Sequence, residues 1–196
     1  MASSKEEREI VVRTIEESIR VKQGVLQNMV PELLQASEMI VGSLQAGGKL
    51  ILFGNGGSAG DAQHIAAELV GRFERERRAL PAIALTTNSS TLTAIGNDYG
   101  YNKVFSRQVE AWARPGDVVI GITTSGNSPN VLEGVAAAKL KGAKTIGMTG
   151  EKGGKLAAEV DLCLKVPSSS TARIQESHIL IGHLLCLLID KNITLT

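Results

Sequence analysis

FGNGGSAGDAQHIAAEL, residues Phe53 to Leu69, decides how this chain is read. An unbroken apolar run, KLILF (49–53), leads into it, and a helical pattern near 58–72 leads out. Gly54, Gly56 and Gly57 therefore sit where a strand turns into a helix. The same alternation continues through AIALT (82–86), DVVIGIT (117–123), KTIGMT (144–149) and DLCLKV (161–166). Helical stretches fall near 89–113, 128–141 and 153–159, and a last helix runs from Thr171 to Lys191. Continuous apolar strands between helices predict an α/β fold with a parallel sheet covered on both faces. Upstream, Ile10, Val11, Ile15, Ile19, Val25 and Leu26, then Leu33, Leu34, Met39, Ile40 and Leu44, recur at helical spacing. Pro31 suits the start of the second of these helices and Ala46-Gly47-Gly48 its end. The chain thus divides into an N-terminal helical segment, 1–46, and a sheet-bearing domain, 47–196.

Composition narrows the function. With 43% hydrophobic and 21% charged residues, the 196-residue chain can bury a substantial core. A net charge of +1 and 3% aromatics give no basic field and few stacking surfaces for nucleic acid or an anionic membrane. Two cysteines, Cys163 and Cys186, suit a reducing cytoplasm rather than a disulfide framework. The charged beginning MASSKEEREIVV shows no signal-peptide pattern, and no run approaches the length of a membrane span.

In open parallel sheets ligands bind beyond the carboxyl ends of the strands. Three loops there, GNGGS (54–58), TTNSS (86–90) and TTSGNS (123–128), are rich in Gly, Ser and Thr. GNGGS carries Gly54 and Gly56 but Ala59 at the third position of a dinucleotide fingerprint, no acidic residue ends the next strand, and there is no P-loop lysine. A tight turn alone would also explain it. Thr123, Thr124, Ser125 and Ser128 place four hydroxyls around one turn before Pro129. Neutral donors at a helix start suit a single phosphate monoester; plain capping by Ser128 is the alternative.

His64 and Glu68 stand i and i+4 on one helix face, able to reach one metal or one substrate, or to form an ordinary solvated pair. Two of the three histidines, His178 and His183, lie on the last helix; His183 sits among leucines and isoleucines, as a core residue or a functional one. Gln175 and His183 are about 12 Å apart along a regular helix. They meet at one ion only if Gln175 lies in a frayed first turn or a second subunit contributes. Cys186 reads as a buried structural residue. Asn97-Asp98 reads as a turn that could bring polar groups to sugar hydroxyls. GRFERERR (71–78) reads as a solvated face, with Arg72 the member to watch.

Taken together, GNGGSAGDAQHIAAEL, LTAIGNDYGYNKVFSRQVEA, TSGNSPNVLEG and RIQESHILIGH resemble the bacterial phosphoheptose isomerases, which carry a sugar isomerase (SIS) domain, over nearly the whole chain. That resemblance implies a three-layer sandwich with a five-stranded parallel sheet and N-terminal helices used for oligomerisation into a homotetramer, with sites at subunit interfaces. It implies conversion of sedoheptulose 7-phosphate to D-glycero-D-manno-heptose 7-phosphate, an early step toward lipopolysaccharide or other heptose-bearing glycans. Carried over by position, Ser58, Thr123, Thr124, Ser125 and Ser128, with Gly56 and Gly57, would hold the phosphate. Asn55, Asn97, Asp98 and Gln175 would meet the sugar. Glu68 would be the general base and His183 the general acid. One zinc ion per subunit would be held by His64, Glu68, Gln175 and His183. This chain departs from some members at Thr123, where they carry Ser, and at Thr171 or Ala172, where they carry Asp. Rival readings are a non-catalytic SIS protein bound to the replication initiator, a phosphosugar-sensing regulator, and an isomerase of arabinose 5-phosphate.

Overall fold

The computed structural model describes residues 4–193; the outermost three residues of the N-terminal segment and of the sheet-bearing domain lie outside it. The elements run α1 (Lys5–Asn28), α2 (Val30–Gln45), β1 (Leu50–Gly54), α3 (Gly57–Val70), β2 (Ala82–Ala84), α4 (Ser89–Tyr99), a 3-10 turn (Tyr101–Lys103), α5 (Ser106–Trp112), β3 (Val118–Ile122), α6 (Pro129–Leu140), β4 (Lys144–Gly150), α7 (Leu156–Glu159), β5 (Leu162–Val166) and α8 (Thr171–Asn192). The five strands form one sheet in the order β2-β1-β3-β4-β5, and every pairing is parallel. The expected α/β sandwich is therefore present.

Strand alternation sorts the core into two layers. Leu50 and Leu52 of β1, Val118, Ile120 and Ile122 of β3, and Met148 of β4 face α2, α3 and α8, joined by Val21 and Val25 of α1. Ile51, Phe53 and Val119 face the opposite way, onto Val109 of α5, Val131 and Val135 of α6, and Leu156 of α7. Phe53 stacks on Phe105 with ring centroids 4.9 Å apart. A sheet with both faces covered must be apolar at every strand position, which is why its strands read as continuous runs.

Four expectations need correction. The helical stretch 89–113 is not continuous: Gly100, at φ 84°, ends α4, and α5 starts only at Ser106. Asn97 and Asp98 consequently lie inside α4 and form no turn. The helix near 153–159 shrinks to Leu156–Glu159, because Gly153 and Gly154 take left-handed backbone angles. And α8, a 22-residue helix, is by length and composition apolar enough to cross a membrane, contrary to the expectation that no run is. Ile174, Ile181, Leu185 and Ile189 of this helix are buried in the core layer shared with α2 and α3.

Sheet order also locates a cleft. From β1 the chain proceeds to β2 on one side, whereas β3 pairs on the other. The carboxyl ends of β1 and β3 thus form the topological switch point, where such sheets open a crevice. The loops leaving those two ends are GNGGS and TTSGNS.

Candidate active site

At the switch point a cavity of about 100 Å³ is lined by Asn55, Ser58, Ile122, Thr123, Thr124, Ser125, Ser128 and Gln175. Seven of the predicted residues therefore share one small, polar hollow. Three helices start around it: Ser58 lies in the first turn of α3, Ser128 is the N-cap of α6, and Gln175 lies near the start of α8. Each start contributes unpaired N–H groups and about half a positive charge. No lysine or arginine lines the hollow.

Ser128 makes no side-chain capping bond. Its hydroxyl instead meets Thr123 Oγ1 at 2.9 Å, and Ser125 Oγ lies 3.3 Å from the same atom. Ser125 Oγ also accepts from the Asn127 N–H at 3.1 Å. Simple helix capping by the Ser128 side chain is therefore excluded as the reason for this hydroxyl cluster. Gly57 has a role the sequence left unstated: a Cβ there would collide with the Gln175 side-chain amide, so glycine lets Gln175 reach the hollow.

Asn55 is oriented by a reciprocal amide pair with buried Asn130, at 2.9 and 2.8 Å, and by Tyr101, whose hydroxyl donates to Asn55 Oδ1 at 3.2 Å. Neither Asn130 nor Tyr101 was singled out in the sequence, although both lie in its quoted motifs. Asn97 donates its amide to the adjacent Asp98 carboxylate at 2.8 Å, and both residues are exposed on α4.

A second cluster lies between α3 and α8. His64 Nε2 stands 2.9 Å from His183 Nε2 and 3.2 Å from Glu68 Oε1. The three potential ligand atoms of His64, Glu68 and His183 all fall within 4.8 Å of one another. His183 is thus no sealed core residue; its ring tilts against His64 and against Phe73, with centroids 5.0 and 5.5 Å away. His178 is the sealed histidine, with Nε2 3.2 Å from the Thr149 carbonyl oxygen; burial, opposed by that bond, lowers its pKa from 6.5 to about 4. One turn ahead of His64, Asp61 is lifted to about 6 by burial, with the His64 charge acting against the rise, and its Oδ2 has no partner. A carboxyl lifted by burial one turn from the His64 imidazole is not foretold by the sequence, since spacing does not report burial.

His64 Nε2 cannot donate one proton to both a carboxylate and a second imidazole nitrogen. A divalent cation would satisfy all three lone pairs at once, and two imidazoles plus a carboxylate is a known zinc donor set that leaves a coordination position open. The donor chemistry therefore fits the metal that the family resemblance implies. Gln175 belongs to the other hollow in this chain, and α8 is regular from Thr171 onward, so no frayed turn carries it toward His183.

The segment 71–78 is not wholly solvated. Arg72 pairs with Glu76 at the surface, whereas the Arg77 side chain is 1% exposed and holds Asp190, 0% exposed, at 2.6 Å. Cys186 is fully buried as expected, and burial foremost, then the charges of Glu68 and Asp190, raise its thiol to about 12, with Arg77 opposing.

Residues 14–150 match the family model of the SIS domain. A phosphoheptose isomerase of Roseiflexus sp. is 55% identical over 93% of each chain. One from Aquifex aeolicus is 54% identical, covering 93% of this chain and 96% of its own. Among solved structures, phosphoheptose isomerase GmhA from Neisseria gonorrhoeae superposes with a TM-score of 0.89 at 50% identity, over 94% of this chain and 98% of that one.

Proposed function

Since this chain belongs to the phosphoheptose isomerases of the SIS-domain family, we propose that it converts sedoheptulose 7-phosphate to D-glycero-D-manno-heptose 7-phosphate. The observation that carries this reading is the pairing of a hydroxyl-lined hollow with an acid–base cluster on α3 and α8. The 7-phosphate takes the hollow, held by Ser58, Thr123, Thr124, Ser125 and Ser128 and by the N–H groups of Gly56 and Gly57, in the field of three helix starts. Asn55, Asn97, Asp98 and Gln175 meet the sugar hydroxyls.

The reaction moves one proton from C1 to C2 of the opened ketose and shifts the carbonyl from C2 to C1. Glu68 takes the C1 proton and returns it to C2, and His183 carries a proton between the two oxygens of the intervening cis-enediol. Glu68 is part-buried, with Oε1 3.2 Å from His64 Nε2. His64, Glu68 and His183, with Gln175 as fourth, are the residues that would hold zinc. A bound zinc ion supplies Lewis-acid polarisation of the sugar oxygens. With Glu68 and His183 also named for proton transfer, the metal's part is assigned as polarising or structural.

Assembly belongs to the same reading. Ile10, Val11, Ile15 and Ile19 of α1 and Leu34 of α2 are exposed; burying them against other copies supports a homotetramer, and a second copy is then the route by which Gln175 approaches an ion. Free cysteines accord with a cytoplasmic enzyme. The heptose product serves a surface glycan such as lipopolysaccharide. Incubating the protein with sedoheptulose 7-phosphate and, separately, arabinose 5-phosphate tests the assignment. An aldoheptose phosphate from the first alone is expected; turnover of only the second, or of neither, contradicts it.

A further inference from the structure

Glu68 lies in the last turn of α3 and His183 in the middle of α8, so their spacing depends on how the two helices are joined. Beyond that turn, one buried guanidinium does the joining. Arg77 Nε donates to Asp190 Oδ1 at 2.6 Å, and its Nη2 donates to the carbonyl of Glu68 itself at 2.9 Å. Its Nη1 donates to the carbonyls of Leu69, Gly71 and Arg78 at 2.9, 3.3 and 3.1 Å. A cation here also meets the negative end of the α3 dipole.

Asp190 answers from α8, seven residues after His183. Its Oδ2 accepts the N–H groups of Glu74 and Arg75 at 3.2 and 3.3 Å, and its carbonyl accepts from Arg75 Nη1 at 3.0 Å. Burial alone would raise this carboxyl; the Arg77 hydrogen bond, the two N–H groups and the Arg77 charge outweigh it and hold the pKa below the ordinary range. The same tethered segment lays Phe73 against the His183 ring.

We infer that Arg77 and Asp190 are positioning residues that set the separation of His64 and Glu68 from His183 by bolting the end of α3 to α8. The inference rests on reading that triad as the reacting, metal-holding end. A planar fork with five donors can serve the aspartate and four carbonyls together; an ammonium group cannot. An apolar pair of similar volume could fill the space without leaving a buried charge, but it would abandon the α3 carbonyls.

The test uses Arg77→Lys and the double variant Arg77→Met/Asp190→Leu, with Asp117→Asn as control. Asp117, itself buried, pairs with the part-buried Lys49 at the far, amino end of β1 and β3. Proton–nitrogen NMR of the metal-free protein resolves its three imidazoles. The Arg77 variants are expected to displace the His64 and His183 ring signals while leaving those of His178 in place, and Asp117→Asn to displace none. Titration with Co²⁺, read by its visible absorption, is expected to show affinity at least about tenfold weaker in the Arg77 variants. Folded variants with parental His64 and His183 signals and parental cobalt affinity would overturn the inference. If the parent takes up no cobalt, the metal reading fails and the ring signals alone decide the clamp; if the double variant does not fold, Arg77→Lys decides it.

Discussion

Replacing Gly182 by alanine tests how the two halves of the triad are held together. Gly182 precedes His183 on α8, and Ile65 follows His64 on α3. A Cβ at 182 would stand 2.7 Å from both Cδ1 and Cγ1 of Ile65. That is roughly 1 Å inside the 3.5–4.0 Å at which carbons pack comfortably. Ile65 is 1% exposed and has no room to retreat. Two terms oppose each other. Alanine inside a helix is better than glycine by about 1 kcal/mol, while overpacking a full core costs about 1–3 kcal/mol. The net is a destabilisation of about 0–2 kcal/mol, a fall in Tm of up to about 8 °C for a chain this size. Function should suffer more. Parting the helices by a fraction of an ångström opens the 2.9 Å contact of His64 and His183, and misplacement of about 1 Å in an active site can cost about 10² in rate. The assay is kcat at saturating substrate beside thermal unfolding. Ile65→Val, which removes the offending Cδ1, should restore part of both in the double variant, a coupling that neighbouring residues show and distant ones do not. A Gly182→Ala protein with parental turnover and an unchanged or raised Tm would refute the claim that this contact spaces the reacting groups.

Glu68→Gln should leave phosphosugar binding nearly intact, measured by calorimetry, and lower kcat by about 10² or more; activity within threefold of the parent removes the base assignment. Gly57→Ala displaces the Gln175 amide, a flexible group, so Tm should hold while substrate Kd weakens up to about tenfold, the worth of one hydrogen bond. Dialysis against a chelator should abolish turnover and zinc restore it, with Tm rising as metal is added because the ion binds only the folded state; full activity at stoichiometric metal absence, checked by elemental analysis, contradicts the zinc assignment. His178 gives a pH test. Its pKa falls from 6.5 unfolded to about 4 folded through burial, so between those values the unfolded chain binds more protons and stability rises with pH. The contribution, about 3 kcal/mol by linkage, is complete above about 6.5 and lost as pH falls toward about 4. Urea unfolding at pH 7 and 4.5 should therefore separate the parent from His178→Gln by a smaller pH slope in the variant. Asp61, lifted by burial to about 6, adds the opposite slope to both proteins and cancels in that comparison.

The architecture was legible because its signals are local and repeated. Each strand is an apolar run, each helix has its period, and glycine and serine loops mark the sheet's carboxyl edge. The hydroxyl-lined hollow was legible in large part, since most of its residues lie in two loops that sheet order juxtaposes, whereas Gln175 arrives from α8. What escaped depends on contacts distant in sequence. Arg77 reaches Asp190 across 113 positions, and within GRFERERR nothing distinguishes this buried arginine from its exposed neighbours. Asn97-Asp98 has turn chemistry, but Asn88 caps a helix that carries straight through it to Gly100. The leucines around His183 left a core and a functional reading both open in sequence; in space its ring lies on the side of α8 that meets His64. Asp61 carries its signal in burial, which spacing does not report.

The proposed isomerisation turns on proton transfer through an enediol by Glu68. Its most direct test is an NMR time course of sedoheptulose 7-phosphate with zinc-loaded protein in D₂O, run beside Glu68→Gln. Deuterium at C2 of a newly formed aldose 7-phosphate, with formation lost in the variant, is the predicted result. An unchanged substrate with the folded parent protein, or an aldose formed without deuterium by direct hydride shift, would contradict it.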